Sequence, residues 1–305
     1  MNELSRIISR IKFDEPLGSH CTMRIGGPAR VLAFPEDRTE LRALLGHLYR
    51  ISMPFKVVGK GANLLISDKG FDGAIIILGD HFQSIEQVDT DVVQVGAGLS
   101  MASLAWQAAR MGISGFEFAA QIPGTVGGGV VNNAGAFQVD FTNRVVSVTV
   151  FHANGDEEII PQRGLGLEYR KSNLKGAQGI VLVSATFQGQ RKSTEDIIPL
   201  IQEYGRKRNG TQPTSQYSSG CIFKNPGGKS AGFLIDDAGL KGSGVGEAYV
   251  SDKHANFIVN RGHATACNVL DLIHKIQDTV YNRHDIELEA EVEIVGEDIL
   301  HKKAA

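Results

Sequence analysis

The run Gln121 Ile122 Pro123 Gly124 Thr125 Val126 Gly127 Gly128 Gly129 Val130 Val131 Asn132 Asn133 Ala134 Gly135 Ala136 Phe137 constrains this chain more than any other stretch. Five glycines fall within twelve residues, beside two asparagines and almost no charge. With so few side chains the backbone can come close to a ligand and offer its N–H groups, an arrangement that suits a phosphate. Taken alone, the run reads equally well as a glycine-rich connection between strands. A second glycine-rich turn, Gly59 Lys60 Gly61 Ala62 Asn63 Leu64 Leu65, follows the apolar run Phe55 to Val58. Two such cradles imply a long ligand carrying a diphosphate.

The common nucleotide fingerprints fail. A G-x-G-x-x-G turn needs its third glycine for helix packing, but Gly59 and Gly61 are followed by Leu64, and Gly96 and Gly98 by Met101. Gly228 Lys229 Ser230 ends like a P-loop, yet Phe223 stands where the leading glycine belongs. ATP or GTP hydrolysis is not expected.

A composition of 42% hydrophobic and 21% charged residues is that of a soluble globular protein. The 36 glycines in 305 residues exceed the usual level of about 7% and belong to turns and ligand loops. A net charge of −3 provides no field for nucleic acid, and Arg206 Lys207 Arg208 reads as a solvated helix end. No N-terminal apolar stretch approaches a signal segment or the roughly 20 residues of a membrane span, so a cytoplasmic protein without membrane contact is expected. Cys21, Cys221 and Cys267 have no C-x-x-C spacing, which indicates free thiols, no disulfide framework and no metal site.

Leu41, Leu44, Leu45 and Leu48 make a helical stripe from Thr39, flanked by strand candidates at Phe55 to Val58 and Ala74 to Leu78. Residues 1–80 thus read as a small α/β unit. Ser100 caps a helix with Met101, Leu104, Ala105, Ala108 and Met111 inward and Gly112 as its stop. Val145 to Ala153 and Glu157 to Ile160 enclose Asn154 Gly155, a hairpin signal, and Ile180 to Phe187 adds a strand. Residues 81–205 read as a second, strand-rich domain. Its closing helix, Ile197 to Tyr204, tolerates Pro199 only near its first turn. Residues 206–305 read as an α+β domain, with helices from Ala231 and near Thr265 and a strand at Asn256 to Val259. In its last strand Leu288, Ala290, Val292 and Ile294 alternate with Glu287, Glu289, Glu291 and Glu293, which by itself signifies a solvated acidic face.

Seven ordered blocks resemble the UDP-N-acetylenolpyruvoylglucosamine reductase family. They are Thr22 to Ala29, Gly59 to Leu65, Ile122 to Phe137, Tyr169 to Ser172, Gly220 to Pro226, Ser251 to Asn260 and Leu288 to Gly296. The length is similar to the family's compact subtype, which lacks an extra tyrosine-bearing loop. The resemblance implies an α+β fold: a two-part, vanillyl-alcohol-oxidase-like FAD-binding region (1–80 and 81–205) plus a C-terminal α+β substrate-binding domain (206–305). It implies FAD as cofactor and NADPH as hydride donor. FAD would lie against Gly59, Gly61, Ala62, Asn63 and Leu64 from one loop, and Pro123, Gly124, Thr125, Gly127, Gly128, Asn133, Ala134 and Gly135 from the other.

The same resemblance assigns the chemistry. Arg170 would stabilise the enolate formed when hydride reaches the vinyl carbon of UDP-N-acetylenolpyruvoylglucosamine, since a guanidinium binds a carboxylate in a fork and keeps its proton. Glu291 would assist as a protonated carboxyl group, which requires burial to raise its pKa. Cys221 stands where most members carry a serine that protonates the enolate; a thiol, with an ordinary pKa near 8.5, releases its proton more easily. An inert buried cysteine is the alternative for Cys221. Tyr169, Lys224, Asn225 and His254 match substrate-side positions, or serve as structural hydrogen-bonding residues. Thr211, Gln138 and Ser218 depart from the family, which places lysine, glycine and proline there in many members. A monomer acting on a small molecule is expected. Two rivals remain at this point: an FAD-dependent oxidase of the same fold group and a non-catalytic nucleotide-binding module.

Overall fold

The computed structural model describes residues 3–296, so residues 297–305 of the expected third domain lie outside the described part. The chain forms two compact units. Unit one takes the described residues up to Phe13, then Val31–Gly59 and Gly73–Arg208; unit two takes Asp14–Arg30, Lys60–Asp72 and those from Asn209 onward.

In unit one the leucine stripe forms helix Arg38–Arg50, whose first N–H groups at Thr39 and Glu40 donate to Asp37. Leu41, Leu44, Leu45 and Leu48 are fully buried and share one core with Val31, Ala33, Ala74 and Ile76. The strands that carry those partners belong to a four-stranded sheet in the order Ile11–Pro16, Pro28–Ala33, Phe71–Ile76, Phe55–Val57. Its last two strands run parallel, pairing Phe55 with Ala74 and Val57 with Ile76.

A second, antiparallel sheet of five strands has the order Glu157–Pro161, Val145–His152, Ile180–Gln188, Val92–Gly96, Ile85–Asp89. The Asn154 Gly155 hairpin is present, with Glu157 opposite Phe151. Helix Met101–Arg110 is capped by Ser100, buries Met101, Leu104, Ala105 and Ala108, and ends before Gly112 at φ 69°. Helix Thr194–Thr211 is longer than its periodicity suggests and holds Pro199 in its interior. The N–H that Pro199 lacks would have met the carbonyl of exposed Glu195, which solvent can reach, so the helix persists.

In unit two a three-stranded antiparallel sheet joins Gly244–Val245, Ala248–Val250 and Ile258–Asn260. Helix Ala231–Asp237 ends before Gly239. Helix Ala266–His284 opens on a capping box between Thr265 and Asn268 and buries Val269, Leu272, Ile273, Ile276 and Val280. The last strand is shorter than the alternation predicts. Only Glu293–Val295 is regular, paired in parallel with Leu64–Ile66. Residues just before it make single contacts instead: Ala290 bridges Phe223, and Lys224 N–H donates to Glu289 C=O at 2.9 Å. The pairing partner changes within a few residues, which prevents a continuous ladder.

Candidate active site

In unit one most backbone N–H groups of the glycine-rich run are already paired. Val126–Val131 is a short helix, and the N–H groups of Val126, Gly127, Gly129, Asn132, Asn133, Ala134 and Ala136 all donate to backbone carbonyls. Gly128 N–H reaches Thr125 Oγ1 at 3.4 Å. The supply of free donors inferred from glycine content therefore shrinks: among the described residues, no backbone carbonyl accepts from Gly124, Thr125 or Gly135. Glycine here serves close approach. A Cβ at Gly59 would fall 2.4 Å from Thr125 Oγ1, and one at Gly135 2.6 Å from Val139 C=O. Past the run, Ala136 and Val139 exchange both backbone hydrogen bonds around Phe137 and Gln138, at φ 54° and 64°. Glycine is the natural occupant of such a turn, so Gln138 carries a conformational cost there. Phe137 stacks on Tyr204 with ring centroids 4.0 Å apart.

Asn133 is wholly buried and keeps its side chain for the protein. Its amide nitrogen donates to Thr142 Oγ1 at 3.0 Å and to Glu168 C=O at 2.8 Å, while its oxygen accepts from Phe141 N–H at 3.2 Å. The bond to Glu168 ties the run to the turn that presents Tyr169 and Arg170, a turn closed by two hydrogen bonds between Glu168 and Lys171. Arg170 occupies its third position at φ 57°, where a side chain is strained. A bulky residue retained in a conformation that favours glycine is an argument for function. Its guanidinium donates to Gly135 C=O at 2.9 Å and to Asn133 C=O at 3.4 Å and lies 5.1 Å from the Tyr169 ring. Tyr169 itself is half exposed.

Unit two brings Cys221, Glu291, Asn63, Lys224, Asn225 and His254 into one neighbourhood. Glu291 N–H donates to Ile222 C=O at 2.7 Å, so the residue after Cys221 is fastened to Glu291 directly. Asn63 holds the far side: its Nδ2 donates to Glu291 C=O at 3.2 Å, and its own C=O accepts from Glu293 N–H at 2.9 Å. Cys221 bridges Phe257. Lys224 Nζ is 2.5 Å from Glu289 Oε1, so Glu289 is paired and is more than bare surface charge. Asn225 Oδ1 accepts from Ala231 N–H at 2.9 Å and caps the following helix. His254 packs edge-on against Phe257, with Gly232 close by. Both Cys221 and Glu291 are partly buried.

The residues present fit a cofactor with a diphosphate. Gly128 is exposed, and a Cβ placed at Gly124 would meet nothing within 4 Å. Asn132 Oδ1 is buried yet meets no donor among the described residues. In the second turn, no described backbone carbonyl accepts from Lys60, Gly61, Ala62 or Asn63. Neither Asn132 nor Asn256, whose side chain is buried, stands among the site residues that the sequence suggests. Asparagine in a loop carries no periodic signal, and only the fold reveals which amides are enclosed.

Residues 29–159 match the family described as FAD binding domain, and residues 212–295 match the family described as UDP-N-acetylenolpyruvoylglucosamine reductase, C-terminal domain. The UDP-N-acetylenolpyruvoylglucosamine reductase 2 of Symbiobacterium thermophilum is 43% identical over 298 residues, covering 97% of this chain and 96% of that protein. The Bacillus subtilis UDP-N-acetylenolpyruvoylglucosamine reductase is 38% identical over 291 residues, covering 95% and 96%. A crystal structure of UDP-N-acetylenolpyruvylglucosamine reductase from Thermus caldophilus is similar with a TM-score of 0.80 at 37% identity, covering 94% of this chain and 98% of that one.

Proposed function

The chain belongs to the UDP-N-acetylenolpyruvoylglucosamine reductase family, and from that premise we propose how its own residues serve the NADPH-dependent reduction of the enolpyruvyl group to UDP-N-acetylmuramate for peptidoglycan. FAD, when bound, would supply the redox chemistry that links NADPH to the enolpyruvyl group. Gly59, Gly61, Ala62, Asn63 and Leu64, with Pro123, Gly124, Thr125, Gly127, Gly128, Asn133, Ala134 and Gly135, would hold it. Unspent amides in both loops support that role.

Hydride addition to the vinyl carbon sends negative charge into the substrate carboxylate. Arg170 meets that charge with a guanidinium that stays protonated, and Glu291 shares the burden as a neutral carboxyl donor. Cys221 then protonates the neighbouring carbon: its S–H bond breaks, a C–H bond forms, and the thiolate regains a proton from water. Together the hydride and this proton saturate the double bond. Tyr169, Lys224, Asn225 and His254 would contact the sugar nucleotide. The observation that best supports Cys221 as the proton donor is the 2.7 Å bond from Glu291 N–H to Ile222 C=O, which holds the residue after Cys221 against Glu291.

A cytoplasmic monomer with no nucleic-acid partner completes the proposal, supported by the net charge of −3 and the nucleotide substrates. Among the described residues no helix is long and apolar enough to cross a membrane. A three-part functional division, 1–80, 81–205 and 206–305, belongs to the proposal; the two compact units cut across it, since Asp14–Arg30 and Lys60–Asp72 group with the residues from Asn209 onward. The purified protein should be yellow, bleach anaerobically with NADPH, and recolour when UDP-N-acetylenolpyruvoylglucosamine is added. A reduced flavin that recolours only with oxygen contradicts the proposal and favours an oxidase.

A further inference from the structure

Asn256 lies 3% exposed in unit two and belongs to no periodic element. Both ends of its side-chain amide are spent on one residue. Phe223 N–H donates to Asn256 Oδ1 at 3.0 Å, and Asn256 Nδ2 donates to Phe223 C=O at 2.8 Å. The backbone carbonyl of Asn256 accepts from Ile222 N–H at 2.9 Å. The side chain thus imitates a strand partner for Phe223, while the backbone of the same residue serves Ile222.

With Glu291 N–H on Ile222 C=O, every backbone polar group of Ile222 and Phe223 is taken. Val292 N–H also reaches Ile222 C=O at 3.5 Å, and three of these five bonds involve Asn256. Gly220, just before Cys221, sits at φ 80°, a conformation that favours glycine. We propose that Asn256 is a positioning residue for proton delivery: by clamping Ile222 and Phe223 it fixes where Cys221 Sγ stands relative to Glu291. The inference rests on the assignment of Cys221 and Glu291 above. Its physical basis is that a buried amide holding both a donor and an acceptor has one productive orientation, whereas neither an apolar residue nor a carboxylate satisfies both groups of Phe223.

Asn256→Asp keeps the shape and the acceptor but sets an oxygen against Phe223 C=O; Asn256→Ala removes both bonds. The test measures FAD content and the two half-reactions anaerobically, alone and in a Cys221→Ala background, together with the solvent deuterium isotope effect. We expect FAD to be retained and reduction by NADPH to stay within about twofold. Re-oxidation by the enolpyruvyl substrate should slow about tenfold with a larger isotope effect, because proton transfer becomes limiting. In the Cys221→Ala background the same change should slow re-oxidation by less than about twofold, since two residues acting through one proton are non-additive. Three results overturn the inference: re-oxidation within twofold of the parent in both Asn256 variants, an equal loss in the two backgrounds, or loss of FAD and fold in both variants. If Cys221→Ala by itself re-oxidises at the parental rate, the catalytic assignment fails first, and the positioning role fails with it.

Discussion

The glycine-rich run of unit one and the Cys221–Glu291 patch of unit two reach fixed geometry by opposite means. The first is shaped by missing side chains: Gly59 and Gly135 let backbone and Thr125 pack at distances no Cβ would allow, and most of the loop's amides are taken by backbone carbonyls of the run itself or of neighbouring Ala97, Leu99 and Val139. The second is shaped by side chains that are present, with Asn63 and Asn256 tying irregular segments where strand pairing gives out. Glycine content therefore measures how near a backbone can come to something. It does not count the donors left for a ligand.

The comparison is broken most severely by adding one carbon to the first region. Gly135→Ala would force a methyl against Val139 C=O and the Asp140 side chain, at 2.6 and 2.8 Å. Urea unfolding should show a loss of about 2 kcal/mol. A neutral result would mean that close approach does not hold this loop. The adjoining turn should respond in the reverse sense. Gln138→Gly relieves a side chain at φ 64° and should add about 1 kcal/mol in the same assay.

Gly128→Ala sharpens the contrast between protein and ligand. A Cβ there comes no closer than 3.7 Å to its neighbours and sits in a helix, so stability without FAD should rise by roughly 0.5–1 kcal/mol. Because the position is exposed in the proposed cradle, FAD should be retained less well, read from the flavin-to-protein absorbance ratio after dialysis. Unchanged retention would remove Gly128 from the cofactor contacts.

In unit two the smallest effect concerns Cys21. Burial pushes its thiol pKa above the ordinary range, opposed in part by backbone hydrogen bonding at Ile25, Arg24 and Met23. A folded pKa raised above the unfolded one means stability that is whole below the ordinary thiol pKa and is lost as pH rises through the folded value. Wild-type stability should therefore decline at alkaline pH, and Cys21→Ser should decline less. Parallel curves for the two proteins would contradict this.

Much of the fold was legible because its signals are periodic or local. The Leu41 to Leu48 stripe, the Ser100 and Thr265 caps and the Asn154 Gly155 hairpin each depend on residues a few positions apart. The acidic alternation from Glu287 to Glu293 misled as a strand, because its neighbours change from Phe223 to Leu64 along the way. Arg170 and Cys221 were found only through resemblance; neither occupies a periodic position, and the strain at Arg170 is invisible in sequence. Asn256 was missed, since its importance lies in bonds to residues 33 positions away.

As proposed above, the thiol of Cys221 delivers the proton that completes reduction of the substrate. Anaerobic rapid mixing of NADPH-reduced Cys221→Ala and Cys221→Ser with UDP-N-acetylenolpyruvoylglucosamine tests it most directly. The account predicts normal reduction by NADPH in both, re-oxidation slowed about a hundredfold or more in the alanine variant, and much of the rate kept by the serine variant. Re-oxidation of the alanine variant at the wild-type rate would contradict it.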